Sequence, residues 1–173
     1  MSQQVQDRIE VVQGDITQQN VDAVVNAANP ELMPGGGVAG AIHRAAGPDL
    51  KSHCATLGGC RTGEAVLTPG FNLPAPHIIH TVGPVYRGGG SGEAEQLAAS
   101  YCNSLKVAAD NDLKSVAFPL LSTGAYGYPP DEAVKIAVQT ISQWLSQNDL
   151  PEKVTICAFD GQTKRTVEKA LHG

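Results

Sequence analysis

Six short apolar runs, many of them β-branched, alternate with segments of helical periodicity, and this alternation limits the fold more than any other feature of the chain. The runs cover residues 8–13, 21–26, 65–68, 77–82, 115–121 and 154–159. They are apolar on consecutive positions, which suits strands of a sheet covered on both faces. Between them, residues 94–109 place Leu97, Tyr101, Leu105 and Ala108 on one helical stripe. Residues 131–147 do the same with Ala133, Ile136, Ala137, Ile141, Trp144 and Leu145. Pro129-Pro130-Asp131 reads as the start of that helix, and Asn148-Asp149-Leu150-Pro151 as its stop. Shorter helices are expected over 38–46, 49–56 and 163–171. The pattern predicts an α/β fold with a mostly parallel or mixed central sheet. Ligands of such sheets gather at the carboxyl ends of the strands.

A chain of 173 residues suits a single domain, residues 1–173, with a core that needs no disulfide or metal staple. The formal net charge of -5 lacks the basic surplus of a duplex-binding module, so nucleic acid is not an expected partner. No apolar run approaches the roughly 18 residues that span a bilayer, and the first residues lack the apolar stretch of a signal peptide. Cys54, Cys60, Cys102 and Cys157 form no C-x-x-C pair. These features predict a soluble, monomeric, cytoplasmic protein with reduced thiols.

Two segments carry the chemistry. In the first, a strand ends in Val25-Asn26-Ala27-Ala28-Asn29, and a loop then reaches Gly35-Gly36-Gly37 and a helix. Consecutive glycines let the backbone approach a ligand. The helix start adds unpaired N–H groups and a positive dipole end, the outline of an anion site. In the second, Phe118-Pro119-Leu120-Leu121 runs into Ser122-Thr123-Gly124-Ala125-Tyr126-Gly127-Tyr128 and a further helix. One such loop holds one phosphate, and two would clamp a diphosphate from both sides. Read as plain turns, both are ordinary glycine-rich connections. Gly35 to Gly40 satisfies G-x-G-x-x-G literally. Eight residues separate it from Asn26, however, and no acidic strand end follows at the dinucleotide spacing. The chain contains neither a Walker-type loop nor a G-x-S-x-G elbow. Asp15, in Gln13-Gly14-Asp15-Ile16-Thr17, reads either as a turn or helix cap or as an acceptor for an exocyclic amine.

Together these segments resemble a macrodomain. The resemblance runs from Val11-Val12-Gln13-Gly14-Asp15 to Phe159-Asp160. It takes in Gly35-Gly36-Gly37-Val38, Ala41-Ile42-His43-Arg44-Ala45-Ala46-Gly47-Pro48, His80-Thr81-Val82-Gly83-Pro84 and Ser122-Thr123-Gly124-Ala125-Tyr126-Gly127-Tyr128-Pro129. The nearest subgroup is the MacroD type, which includes bacterial O-acetyl-ADP-ribose deacetylases. The resemblance implies a three-layer α/β/α sandwich around a six-stranded mixed sheet, with ADP-ribose as ligand and neither cofactor nor metal. It implies that Asp15 and the Ile16 N–H hold the adenine amine, with Phe159 near the base. Gly36, Gly37 and Val38 would line one side of the diphosphate, and Ser122, Thr123, Gly124, Ala125 and Tyr126 the other. Asn29 would hold the distal ribose, against which Tyr126 packs. The implied activity removes mono-ADP-ribose from acidic side chains of proteins and acetyl from O-acetyl-ADP-ribose.

One position departs from the subgroup, which has Asp after Gly-Gly-Gly-Val where this chain has Ala39. In the family that Asp is thought to orient or activate the attacking water. Its loss predicts weakened catalysis, and losing a general base typically costs about 10²–10⁴-fold in rate. A second reading is therefore a module that reads ADP-ribose without cleaving it. His43, one helical turn after Ala39, supports the site in the family. On the residues alone it reads more often as a packing or capping histidine. His80, in an apolar run, reads as structural. His53, Cys54 and Cys60 match no standard zinc spacing and read as ordinary core or surface groups.

Overall fold

Each expected strand forms, and every strand but one runs in the same direction. The structure, a computed structural model, describes residues 1–173. In chain order the elements are α1 (Gln3–Gln6), β1 (Ile9–Gln13), one turn of 3-10 helix (Ile16–Gln18), β2 (Ala23–Ala27), α2 (Gly37–Ala46), α3 (Pro48–Cys54), β3 (Ala65–Pro69), β4 (His77–Thr81), α4 (Glu93–Asp110), β5 (Ser115–Phe118), α5 (Pro130–Gln147), β6 (Lys153–Ala158) and α6 (Gly161–His172). The strands form one sheet in the order β1-β6-β5-β2-β4-β3. Only the edge strand β3 is antiparallel to its neighbour, so the sheet is mixed.

The sequence reading carries the fifth strand to residue 121, whereas β5 ends at Phe118. Pro119 has no N–H to give to the ladder and stops it there. Neither α1 nor the 3-10 turn has an apolar period long enough to announce it. Ser2 caps α1 by accepting from the Val5 N–H, and Asp15 caps the 3-10 turn.

Neighbouring strand residues feed opposite faces, as the two-residue period requires. Val25, Ile79, Phe118 and Ile156 pack with Leu97, Tyr101 and Leu105 of α4, Val134 and Ile141 of α5, and Val167 of α6. Val24, Ile78, Ala117 and Cys157 pack with Ile42 and Ala46 of α2 and Leu50 of α3. The chain is therefore a three-layer α/β/α sandwich, the architecture the resemblance implies. The buried Tyr101 hydroxyl accepts from the Leu121 N–H at 3.0 Å, tying the segment after β5 to α4. The Arg8 guanidinium donates to the carbonyls of Leu145 (2.8 Å), Asn148 (2.9 Å), Glu152 (3.1 Å) and Pro151 (2.7 Å). It supplies the positive charge that the last turn of α5 lacks.

Candidate functional site: a backbone cleft at the switch point of the sheet

From β2 the chain leads through α2 and α3 to β3, on one side of the sheet order. From β5 it leads through α5 to β6, on the other. The neighbours β5 and β2 thus form the switch point, with α2 and α5 on opposite faces. A crevice opens beyond strand ends where the connections diverge in this way. Both glycine-rich loops of the sequence reading leave from these two strands.

The loop after β2 is built by its own side chains. Asn29 Oδ1 accepts from the Met33 N–H at 2.9 Å, and Asn29 Nδ2 donates to the Met33 carbonyl at 2.8 Å. The carboxamide therefore shapes the loop as well as standing at its base. Leu32 is buried with φ of 60° and anchors the loop in the core. A Cβ on Gly40 would collide with the Gly35 carbonyl, so the loop lies directly on α2. Gly37, the first helical residue, has φ of 55°, which a side chain would strain. The N–H groups of Gly35, Gly36, Gly37, Val38 and Ala39 donate no hydrogen bond within the protein. Part of this is the ordinary shortfall of a helix start, here extended backward into the loop.

The loop after β5 presents a second row. The N–H groups of Ser122, Thr123, Gly124, Ala125 and Tyr126 also have no protein acceptor. The Tyr128 N–H donates to the Ser122 carbonyl (2.9 Å) and the Gly127 N–H to that of Gly124 (3.0 Å), folding the loop on itself. Ser122 is buried with φ of 68°, and its Oγ has no partner. Tyr126 is half-buried, and its carbonyl accepts from the Tyr86 N–H at 2.8 Å. Neither loop contains a lysine or arginine from residues 28–39 or 122–129. The two rows form an anion cradle made of backbone.

Asp15 and Phe159 stand at the carboxyl ends of the adjacent strands β1 and β6, where Gln13 pairs with Ala158. Asp15 accepts from the Thr17 hydroxyl (2.7 Å) and the Thr17 N–H (2.9 Å), both on Oδ1. The Thr17 hydroxyl first, and then its backbone N–H, hold the carboxyl below the usual aspartate range. It caps the turn while its second oxygen stays open. The Ile16 N–H beside it has no acceptor. The Phe159 ring is 90% exposed, unusual for a phenylalanine and suited to a planar apolar partner.

Ala39 and His43 lie one turn apart on α2, both buried. Both ring nitrogens of His43 are without partners. Burial first, and Lys51 second, lower its pKa and favour the neutral imidazole. At position 39 the side chain is a buried methyl group, with no carboxylate.

Other candidates have structural partners. Asn26 Nδ2 lies 3.0 Å from His80 Nδ1, and Thr68 Oγ1 lies 2.9 Å from His80 Nε2. Thr68 in turn donates to the Pro69 carbonyl at 3.1 Å. With Asn26 Nδ2 donating to Nδ1, the proton of a neutral His80 lies on Nε2 and points to Thr68 Oγ1. Burial pushes its pKa down to about 3. Cys54 and Cys60 are buried thiols whose pKa burial raises, and His53 meets Phe71 edge-on.

Two supports escaped the sequence reading. A Cβ on Gly83, after β4, would collide with Ser122 Oγ, so the two loops interlock. Glu93, at the start of α4, accepts the N–H groups of Arg87 (2.8 Å), Gly89 (2.9 Å) and Ser91 (2.7 Å). It fixes the segment that follows Tyr86. The motif His80-Thr81-Val82-Gly83-Pro84 signals the first. Nothing local signals the second.

A family profile, the Macro domain, matches residues 25–137, the span that includes both glycine loops. The chain belongs to the Macro domain family. A Macro domain-containing protein of Mesorhizobium japonicum is 56% identical over 165 residues, covering 95% of this chain and 94% of the relative. An O-acetyl-ADP-ribose deacetylase of Escherichia coli is 51% identical over 168 residues, with 95% of both chains covered. Among solved structures, the Trypanosoma brucei macrodomain in complex with ADP-ribose superposes with a TM-score of 0.92 at 40% identity, covering 98% of this chain and 72% of that one. The Oceanobacillus iheyensis macrodomain with ADP gives 0.91 at 42%, covering 95% and 90%. The macrodomain fold thus accounts for both loops and for the sheet that aims them.

Proposed function

We propose that this macrodomain binds ADP-ribose in the switch-point crevice, removes mono-ADP-ribose from acidic side chains of proteins, and deacetylates O-acetyl-ADP-ribose, with catalysis weakened by Ala39. The observation that carries the reading is the pair of unpartnered amide rows, which suit a diphosphate without any cationic side chain. The amides of Gly36, Gly37 and Val38 take one side of the diphosphate. Those of Ser122, Thr123, Gly124, Ala125 and Tyr126 take the other. The open oxygen of Asp15 accepts from the adenine amine, the Ile16 N–H supports it, and Phe159 offers its exposed face to the base. Asn29 holds the loop and meets the distal ribose, with Tyr126 beside it. The relatives that act on O-acetyl-ADP-ribose and the neighbours solved with ADP-ribose or ADP support this choice of ligand.

In the reaction, water adds to the ester linking the acyl group to the distal ribose, releasing a carboxylate and a ribose hydroxyl. The neutral His43 imidazole, buried one turn after Ala39 on α2, takes up the proton that the water releases. A ligand phosphate oxygen helps orient the water. Ala39 supplies no base, which favours a second reading: a module that binds ADP-ribose and leaves the ester intact.

The test is release of ADP-ribose from a glutamate-ADP-ribosylated protein by catalytic amounts of this chain and of Ala39→Asp. We expect multiple turnovers by both, with the aspartate variant faster by about 10²–10⁴-fold. Turnover by the variant alone establishes the reader. Failure of the unaltered chain to bind ADP-ribose overturns both readings.

A further inference from the structure

A second recess of about 240 Å³ opens beside the glycine loop, lined by Gly35, Gly40, His43, Arg44, Gly47 and Lys51 among others. No acidic side chain lines it. Arg44 and Lys51 are exposed, and neither enters an ion pair. Arg44 lies back along α2, its Nη1 only 3.2 Å from where a Cβ on Gly40 would stand. His43 also lines the recess, but it is only 7% exposed and both its ring nitrogens are buried, so the open charge of the recess is that of Arg44 and Lys51. Two unpaired exposed cations with no acid beside them make this rim a positive patch, which favours an anionic partner.

Its position indicates which anion. Gly35 lines the recess on one side. On the other, a Cβ at Gly35 would stand 3.4 Å from Asn29 Nδ2. The recess therefore adjoins the loop base where the proposed function puts the distal ribose, the end of the ligand that carries the acyl group. We propose that this recess binds side-chain carboxylates of an acidic protein segment flanking the ADP-ribosylated residue, through Arg44 and Lys51 at its rim. The inference rests on the ADP-ribose reading and adds a preference for acidic sequence around the modification. Free ADP-ribose and O-acetyl-ADP-ribose carry no such carboxylates and are indifferent to the recess.

The test uses two peptides, each bearing ADP-ribose on one side chain through a hydrolysis-resistant amide. One has aspartate and glutamate on both flanks, the other asparagine and glutamine. Both compete with fluorescent ADP-ribose for the unaltered chain and for Arg44→Gln/Lys51→Gln. Exposed charge pairs are individually weak, so the expected advantage of the acidic peptide is about three- to tenfold at low salt, shrinking as ionic strength rises. The double variant should lose that advantage and keep its affinity for free ADP-ribose. Equal binding of the two peptides by the unaltered chain, or an advantage that survives in the variant, overturns the inference. Absence of binding to free ADP-ribose instead overturns the reading beneath it.

Discussion

The contact between Gly83 and Ser122 offers the sharpest test of how the cleft is held. A methyl group added at Gly83 would overlap the buried Ser122 Oγ. Once that oxygen is removed, the nearest atoms are Ser122 Cβ at 3.5 Å and Ser122 N at 3.6 Å, both ordinary contacts. Gly83→Ala is therefore an overpacking substitution confined to one atom. Such insertions cost about 1–3 kcal/mol, or roughly 2–12 °C in melting temperature for a chain of this size. They also push the loop that carries the free amides. Ser122→Ala alone deletes a hydroxyl without a partner and keeps the backbone N–H, so its effect on stability should be small.

The double variant restores the fit, and the cycle should show a favourable coupling of about 1–3 kcal/mol. Urea unfolding gives the stabilities. Calorimetric titration with ADP-ribose reports whether the amide row has moved. Affinity should fall in Gly83→Ala and recover in the double variant. If Gly83→Ala costs the same with serine or alanine at position 122, the interlock is not what fixes the loop, and the reasoning fails.

Two further results follow from the same geometry. Asp15→Ala should weaken ADP-ribose several-fold while leaving ribose-5-phosphate unchanged in calorimetry, since only the former has an adenine amine for the open carboxylate oxygen. Equal losses would remove Asp15 from base recognition. Three backbone N–H bonds, those of Arg87 and Gly89 foremost, draw the Glu93 pKa down to about 2. Because the folded value lies below the unfolded one, near 4.3, the stabilisation is whole above about pH 4.3 and drains away as pH falls towards 2. Thermal melts of Glu93→Gln should start lower at neutral pH and converge on those of the unaltered chain in acid. A constant gap down to pH 2 would exclude the carboxylate as the loop's anchor.

The sheet was legible because each strand is apolar on consecutive residues, and both of its covering layers can be read from Val24 and Val25 or from Ile78 and Ile79. Both glycine loops were legible for a related reason: a strand end, small residues and a helix start lie together in sequence. Strand direction was less so, since nothing in Ala65–Pro69 distinguishes an antiparallel edge from a parallel one. Pro119 shows how one missing N–H trims an apolar run that hydropathy alone would extend. Asn29 was readable as a residue of the loop base, but not its pair of hydrogen bonds to the Met33 backbone, which depends on the turn that Leu32 makes at positive φ. Glu93 was hidden for the same reason. An acid in the first turn of a helix reads as a dipole partner, and only the path of residues 87–91 turns three amides towards it.

The division of labour between backbone and side chains explains why Ala39 and the cleft can coexist. The unpartnered N–H groups on both sides of the crevice belong to the main chain, and their direction is set by Gly40 against Gly35, by Gly83 against Ser122 and by the turns at Asn29 and Ser122. No side chain at position 39 enters that list. A methyl group there leaves α2, its first turn and the row of amides as they are, and removes only a carboxylate from the neighbourhood of His43. On the proposed reading, anion recognition and water activation are carried by different atoms of the same helix, and a substitution at position 39 that changes the rate of ester cleavage need not disturb the amide rows. Affinity for ADP-ribose and turnover should therefore vary independently across variants of position 39, and they should fall together only when the loops themselves are moved.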